Sequence, residues 1–155
     1  MSATKPETWV GQPLKRKEDP RLLTGRGQFI DDFALPHLHH LAILRTPHAH
    51  ARIKVVDATR ALRVKGVKCV VTADEVVSQT KPFSAAIIEP INYYCLAVGK
   101  VRYVGEPVAA VVATDRYIAE DAAELIRVEY DPLPAIVDQE KAMRSGAPVL
   151  HEEVG

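Results

Sequence analysis

The stretch Val104–Ile126, VGEPVAAVVATDRYIAEDAAELI, constrains the fold more than any other part of the chain. Val108–Ala113 is apolar at every position, the pattern of a central strand covered on both faces. Gly105-Glu106-Pro107 reads as the bend that leads into it, because glycine tolerates positive φ and proline presets φ. Asp115 stands where a helix needs an N-cap, and Ile118, Ala122, Leu125 and Ile126 share one helical stripe. The spacing predicts one core made of Val108, Ala110 and Val112 against Ile118, Leu125 and Ile126. RVEYDPL then reads as a further strand, stopped by Pro132 and Pro134.

The same strand–turn–helix order opens many nucleotide sites, but the glycines for one are missing. A dinucleotide fingerprint needs G-x-G-x-x-G, and only Gly105 is present at this turn. Gly25-Arg26-Gly27 supplies two glycines, with Ile30 where the third belongs. No G-x-x-x-x-G-K-[ST] occurs. The stretch is read as building the fold.

Upstream, Met1–Arg26 is polar, carries the charge run KRKEDPR, and is expected to form an extended N-terminal arm, with a single domain over residues 27–155. GQFIDD reads as a short strand ending in an acidic turn. LHHLAILRT has the continuous apolar middle of a buried strand. PHAHA is a turn, and ARIKVVD alternates as a half-buried strand expected to pair back on its predecessor, with Ala51, Ile53 and Val55 on one face. Asp57 is placed to cap a short helix ended by Gly66, VKCVVT is β-branched strand, and Thr72 and Glu75 fit a capping box. Ser78–Leu96 is a long excursion with room for one strand, the kind of loop that carries a function or meets a partner. A strand Val101–Tyr103 and a short helix in DQEKAMRSG complete the elements. Many strands with few short helices indicate an α+β fold with a mixed sheet, and not a doubly wound parallel sheet.

At 155 residues the chain suits one domain with a real core. Lys plus Arg and Asp plus Glu both number 20, so the net charge of zero gives no electrostatic reason to expect nucleic acid or an anionic membrane. Low net charge also suits a protein that lives inside an assembly. The N-terminus lacks an apolar signal core and no apolar run reaches bilayer length, so a cytoplasmic location is expected. Cys69 and Cys95 form no C-x-x-C pair and read as free thiols, Cys69 within a buried strand.

Candidate chemistry is sparse. His37, His39, His40, His48 and His50 cluster around the PHAHA turn, and a hairpin there would let His39 or His40 approach His48 or His50 as metal ligands. No acidic or cysteine partner accompanies them, and adjacent strand residues point to opposite faces. The serines Ser2, Ser78, Ser84 and Ser145 sit in no G-x-S-x-G elbow. The residues by themselves assign no catalytic, cofactor-binding or metal position.

Four segments, GQPLKRKEDPRLLTGRGQFIDD, RTPHAHARIKVVD, VRYVGEPVAAVVATDRYIAEDAAELIRVEYDPLPAIVD and GAPVLHEE, follow the order and spacing of molybdenum hydroxylase large subunits. The chain resembles the xanthine dehydrogenase and aldehyde oxidase family over nearly all of Gly11–Glu153, most closely its carbon-monoxide-dehydrogenase-like branch. The resemblance implies an α/β-hammerhead domain that opens the large subunit of an oxidoreductase. It also implies enzymes that hydroxylate aldehydes or heterocycles or oxidise carbon monoxide. A molybdenum–pterin cofactor belongs, on this resemblance, to downstream domains, and iron–sulfur clusters and FAD to partner domains or subunits.

The pterin-binding motifs and catalytic glutamate of that family lie downstream of the matching region, so no site residue transfers. The implied role is a scaffold and docking component that is not catalytic by itself. Its partners would be downstream large-subunit domains, or a separate molybdopterin-binding chain, with iron–sulfur and flavin subunits. The alternative is an independent binding module that kept the hammerhead fold without the enzyme. Trp9, Val10, Leu14, Leu22 and Leu23 give the arm apolar surface to place on a neighbour.

Overall fold

Strand β5 (Pro107–Ala113) runs through the middle of a three-stranded sheet, between β1 (His40–Arg45) and β3 (Val67–Val71). The computed structural model describes residues 8–83 and 91–152. A second three-stranded sheet places β2 (Ala51–Asp57) between β4 (Lys100–Val101) and β6 (Arg127–Pro132). Every pairing within these two sheets is antiparallel. The helices are short: α2 (Thr59–Leu62), α3 (Ala73–Gln79), α4 (Arg116–Glu124) and α5 (Gln139–Ala142).

The chain divides into two compact units, Met1–Pro36 and His37–Gly155; the expected arm ended at Arg26. Within the first unit, Asp19–Leu23 of the charge run forms a helical turn, α1, where an extended lead-in was expected. Arg16 donates to the Asp19 carboxylate just ahead of it at 3.1 Å. The expected GQFIDD strand is a 3₁₀ turn, Ile30–Asp32, because the Asp32 carboxylate accepts the Phe29 N–H at 2.8 Å and folds the backbone back on itself.

In the second unit β5 is the central strand its apolar run predicts, but the strand phase differs. Residues paired across antiparallel strands share a face. Val111 lies opposite Ala42 and Val70, and with Ala109 it meets Ala122, Ala123 and Ile126 under α4. Ala109 and Val111, not Val108, Ala110 and Val112, therefore face the helix. Val108 instead joins Ala51, Ala97 and Val101 in a second core cluster. The helix buries Ala119, Ala122 and Ala123, while Ile118 and Leu125 are half-buried. Methyl-sized contacts on both sides let the helix axis lie close to the sheet.

The expected β1–β2 hairpin does not form, since the PHAHA turn carries the chain from one sheet to the other. β1 is an edge strand with its residues alternately half-buried and exposed, not a buried one. In β2 the alternation breaks at a bulge between Ile53 and Val55, so Val55 turns outward and Val56 inward. The Gly105–Glu106 bend docks on the buried Thr46. Gly105 N–H donates to Thr46 O at 2.8 Å, and Thr46 N–H donates to Glu106 O at 3.0 Å. Gly105 takes φ +86, the conformation for which glycine is needed.

The local caps follow the sequence. The Asp115 carboxylate accepts from Tyr117 N–H at 2.8 Å, and that of Asp138 accepts from Glu140 N–H at 2.9 Å. Glu75 accepts the Thr72 N–H at 2.8 Å. Asp57 accepts from Thr59 N–H at 2.9 Å one residue before the formal N-cap, Ala58. Within the expected Ser78–Leu96 excursion, Phe83 and Tyr93 form an isolated antiparallel bridge, and residues 84–90 lie outside the described residues. No helix among the described residues is long and apolar enough to cross a membrane.

Candidate functional site

Two surfaces of the second unit carry groups beyond what its core needs. The first is the face of the β1–β5–β3 sheet turned away from α4. The register sets Leu41, Val112 and Cys69 in one row and Ile43, Ala110 and Val71 in the next. The Val108 end of this face is covered by the second core cluster. At the other end Leu41 is 59% and Ile43 42% exposed. Cys69 is exposed as well, against the expectation of a buried thiol, because β3 is an edge strand and its row opens to the surface. Cys95 is also exposed.

The second surface is a cleft of about 350 Å³ lined by Asn92, Tyr93, Tyr94, Leu96, Ala97, Val98, Arg102 and Glu106. Its charged lining is the buried Glu106 and the half-buried Arg102. The Glu106 carboxylate accepts the Arg102 N–H, and the Arg102 guanidinium donates to Leu150 O at 3.0 Å and Lys100 O at 3.1 Å. Lys100 is buried beside it, with its Nζ donating to Val149 O at 3.2 Å and to Glu152 at 3.3 Å. Charge-assisted bonds of this kind satisfy cations that would be costly to bury unpaired. No reading of isolated motifs singled out Lys100, Arg102 or Glu106. The signal available was the alternation of charge with valine and tyrosine in KVRYVGE, which places both cations beside the central strand.

The histidines do not come together. His40 pairs with Ala113, while Ala51, next to His50, pairs with Val101 and Pro132 in the other sheet. His48 packs against Tyr130 with the rings tilted by 54° and their centroids 4.7 Å apart. His50 is buried with Nδ1 2.8 Å from Pro134 O; a carbonyl only accepts, so Nδ1 carries the proton. His50 Nε2 is buried with no partner among the described residues.

The described residues offer no ligand set for an iron–sulfur cluster. Among the described residues no three His, Cys, Asp or Glu side chains are placed to hold a metal ion. Among the described residues the positive-φ glycines Gly66, Gly99 and Gly105 stand singly at separate turns and not in one glycine-rich loop.

The second unit thus combines two antiparallel sheets and short helices with a sheet face open at one end and a cleft lined in part by the buried Glu106. Residues 24–134 match the family described as aldehyde oxidase and xanthine dehydrogenase, a/b hammerhead domain, and the chain belongs to that family. It is 42% identical over 149 residues to the 6-hydroxypseudooxynicotine dehydrogenase complex subunit gamma of Paenarthrobacter nicotinovorans, covering 88% of this chain and 18% of that one. It is 40% identical over 155 residues to the carbon monoxide dehydrogenase large chain of Afipia carboxidovorans, covering 99% of this chain and 19% of that one. Among solved structures it superposes on the reconstituted CO dehydrogenase from Oligotropha carboxidovorans with a TM-score of 0.83 at 40% identity, covering 93% of this chain and 18% of that one. The α/β-hammerhead fold and the carbon-monoxide-dehydrogenase-like kinship are thus both as the sequence implied. The chain spans about a fifth of the length of the curated relatives it matches.

Proposed function

We propose that this chain is the scaffold and docking unit of a molybdenum hydroxylase and is not catalytic by itself. In this reading it works beside the large-subunit domains that hold the molybdenum–pterin cofactor, whether on the same polypeptide or a separate one. Iron–sulfur and flavin subunits complete the enzyme, in the cytoplasm. Its substrate class follows the relatives, whose names specify carbon monoxide and 6-hydroxypseudooxynicotine. The observation that carries the reading is the open apolar end of the β1–β5–β3 sheet, with Leu41 and Ile43 in adjacent rows beside half-buried Val112 and Val71. Apolar surface left in water costs about 25 cal/mol per Å², and contiguous apolar patches mark interaction sites.

The test is co-expression of the chain with the remaining four fifths of a relative's large chain, followed by size-exclusion chromatography and an assay with an artificial electron acceptor. The expected outcome is a stable complex and no turnover by the chain alone. A chain that stays monomeric beside its companion, or that turns over substrate without it, overturns the reading.

A further inference from the structure

We infer that Lys100 and Arg102 form a clamp on the segment Val149–Glu152, and that this clamp fixes where and in which direction the chain runs away from the hammerhead sheet. Four successive residues of the segment are each held, by Lys100, Arg102, Tyr93 and Arg52 between them. The Val149 carbonyl accepts from Lys100 Nζ at 3.2 Å, and the Leu150 carbonyl from Arg102 Nε at 3.0 Å. The His151 ring meets the Tyr93 ring edge-on, 5.5 Å between centroids. The Glu152 carboxylate lies 3.3 Å from Lys100 Nζ and 3.9 Å from Arg52.

Two of the holding groups, Lys100 and Arg102, are themselves tied into the fold. Lys100 belongs to β4, paired with Arg52 of β2, and its neighbour Val101 lies fully buried in the core. The backbone of Arg102 is tied by the buried Glu106 carboxylate, and its Nη1 is tied to Lys100 O at 3.1 Å. The asymmetry of burial gives the clamp its force. The Lys100 side chain is 8% exposed and the Glu152 side chain 62%. A buried ammonium needs acceptors, and among the described residues this segment supplies both of them. Losing the segment would take both of these acceptors from Lys100 Nζ, so the order of the segment is coupled to that side chain. The proposal rests on the docking reading in one respect: where further protein adjoins the segment, the clamp sets that protein's position relative to the sheet.

The test is ¹⁵N relaxation on the 155-residue chain, unmodified and as Lys100→Met, Arg102→Met and Glu152→Ala. Order parameters at residues 149–152 should match those of β5, near 0.85, in the unmodified chain. They should fall below about 0.6 in the variants while β5 stays unchanged. Glu152 is exposed, so Glu152→Ala keeps the test decisive even if the substitution at Lys100 prevents folding. A segment already flexible in the unmodified chain, order unchanged in the variants that fold, or a loss spread equally over β5 would each overturn the clamp. The measurement uses the chain alone, so its outcome is independent of whether the docking experiment succeeds.

Discussion

Val111 of β5 stands directly across from Val70 of β3, on the face that α4 covers, and is fully buried there. Close packing leaves a vacated methyl volume no easy way to refill. Val111→Ala is expected to cost about 2–3 kcal/mol, the transfer term for the lost carbons plus a cavity term. Leu125, at the end of α4, is half-buried, so Leu125→Ala should cost less, about 1–2 kcal/mol, although it removes more atoms. Urea melts with unchanged m-values check the order. A larger loss at Leu125 would mean that the helix seats on its leucine and not on its alanines.

Gly66 joins α2 to β3 with φ +102, and its carbonyl accepts the Thr114 N–H at 3.0 Å. A Cβ there would meet Ile118 Cδ1 at 2.9 Å and Thr114 Oγ1 at 3.0 Å, so Gly66→Ala combines backbone strain with crowding. The left-handed conformation alone costs about 1–2 kcal/mol for an L-residue. Gly99 also has positive φ, +66, but a Cβ there meets nothing within 4 Å. Gly66→Ala should therefore lower the denaturation midpoint more than Gly99→Ala, which carries the backbone cost alone. Equal shifts would show that Ile118 swings aside without cost.

These predictions also show which parts of the fold the sequence carries in readable form. Caps are local chemistry, and Asp115 and the Thr72–Glu75 pair form where the sequence places them. The phase of β5 is different, because VAAVVA is apolar at every position and has no period from which to choose a face. Partner choice was hidden too. β1 and β2 are separated by one short turn, yet they join different sheets, since each finds its partners far along the chain in β5 and β6. The clamp was invisible for the same reason. Nothing local to Lys100 and Arg102 points to Val149–Glu152, which only the fold brings to them. The hammerhead itself was recognisable because four separated segments agreed in order and spacing, a longer-range signal than any single motif.

The Glu75 carboxylate accepts the hydroxyl and the N–H of Thr72, which holds its pKa below the ordinary value of 4.5. A depressed carboxylate stabilises the fold above its unfolded pKa. That contribution fades as pH falls from about 4.5 through the lower folded value. Glu75→Gln should thus destabilise the chain at neutral pH, and the gap to the unmodified protein should close on acidification. Thermal melts from pH 7 to pH 3 follow the gap. A destabilisation that stays constant across that range would show that it does not come from the ionised carboxylate, and no gap at neutral pH would show that the amide caps Thr72 equally well.

Cys69 lies in the row Leu41–Val112–Cys69 on the open end of the β1–β5–β3 sheet, and Cys95 lies outside that sheet. The two thiols therefore make an internal comparison for the proposed docking face. In the isolated native chain both are exposed, and both should react with a maleimide or an aromatic disulfide reagent without denaturant. If companion large-subunit protein covers this face, Cys69 should lose reactivity by more than tenfold in the complex. Leu41→Asp, which puts a charge in the row without touching the α4 core, should weaken the complex and restore labelling at Cys69. An unfolded or aggregated variant would be recognised by its loss of cooperative melting, and Ile43→Asp in the adjacent row then serves in its place. A complex that forms with Cys69 still fully reactive would move the docking surface elsewhere on the domain, and the Tyr93–Arg102 cleft would be the next face to probe.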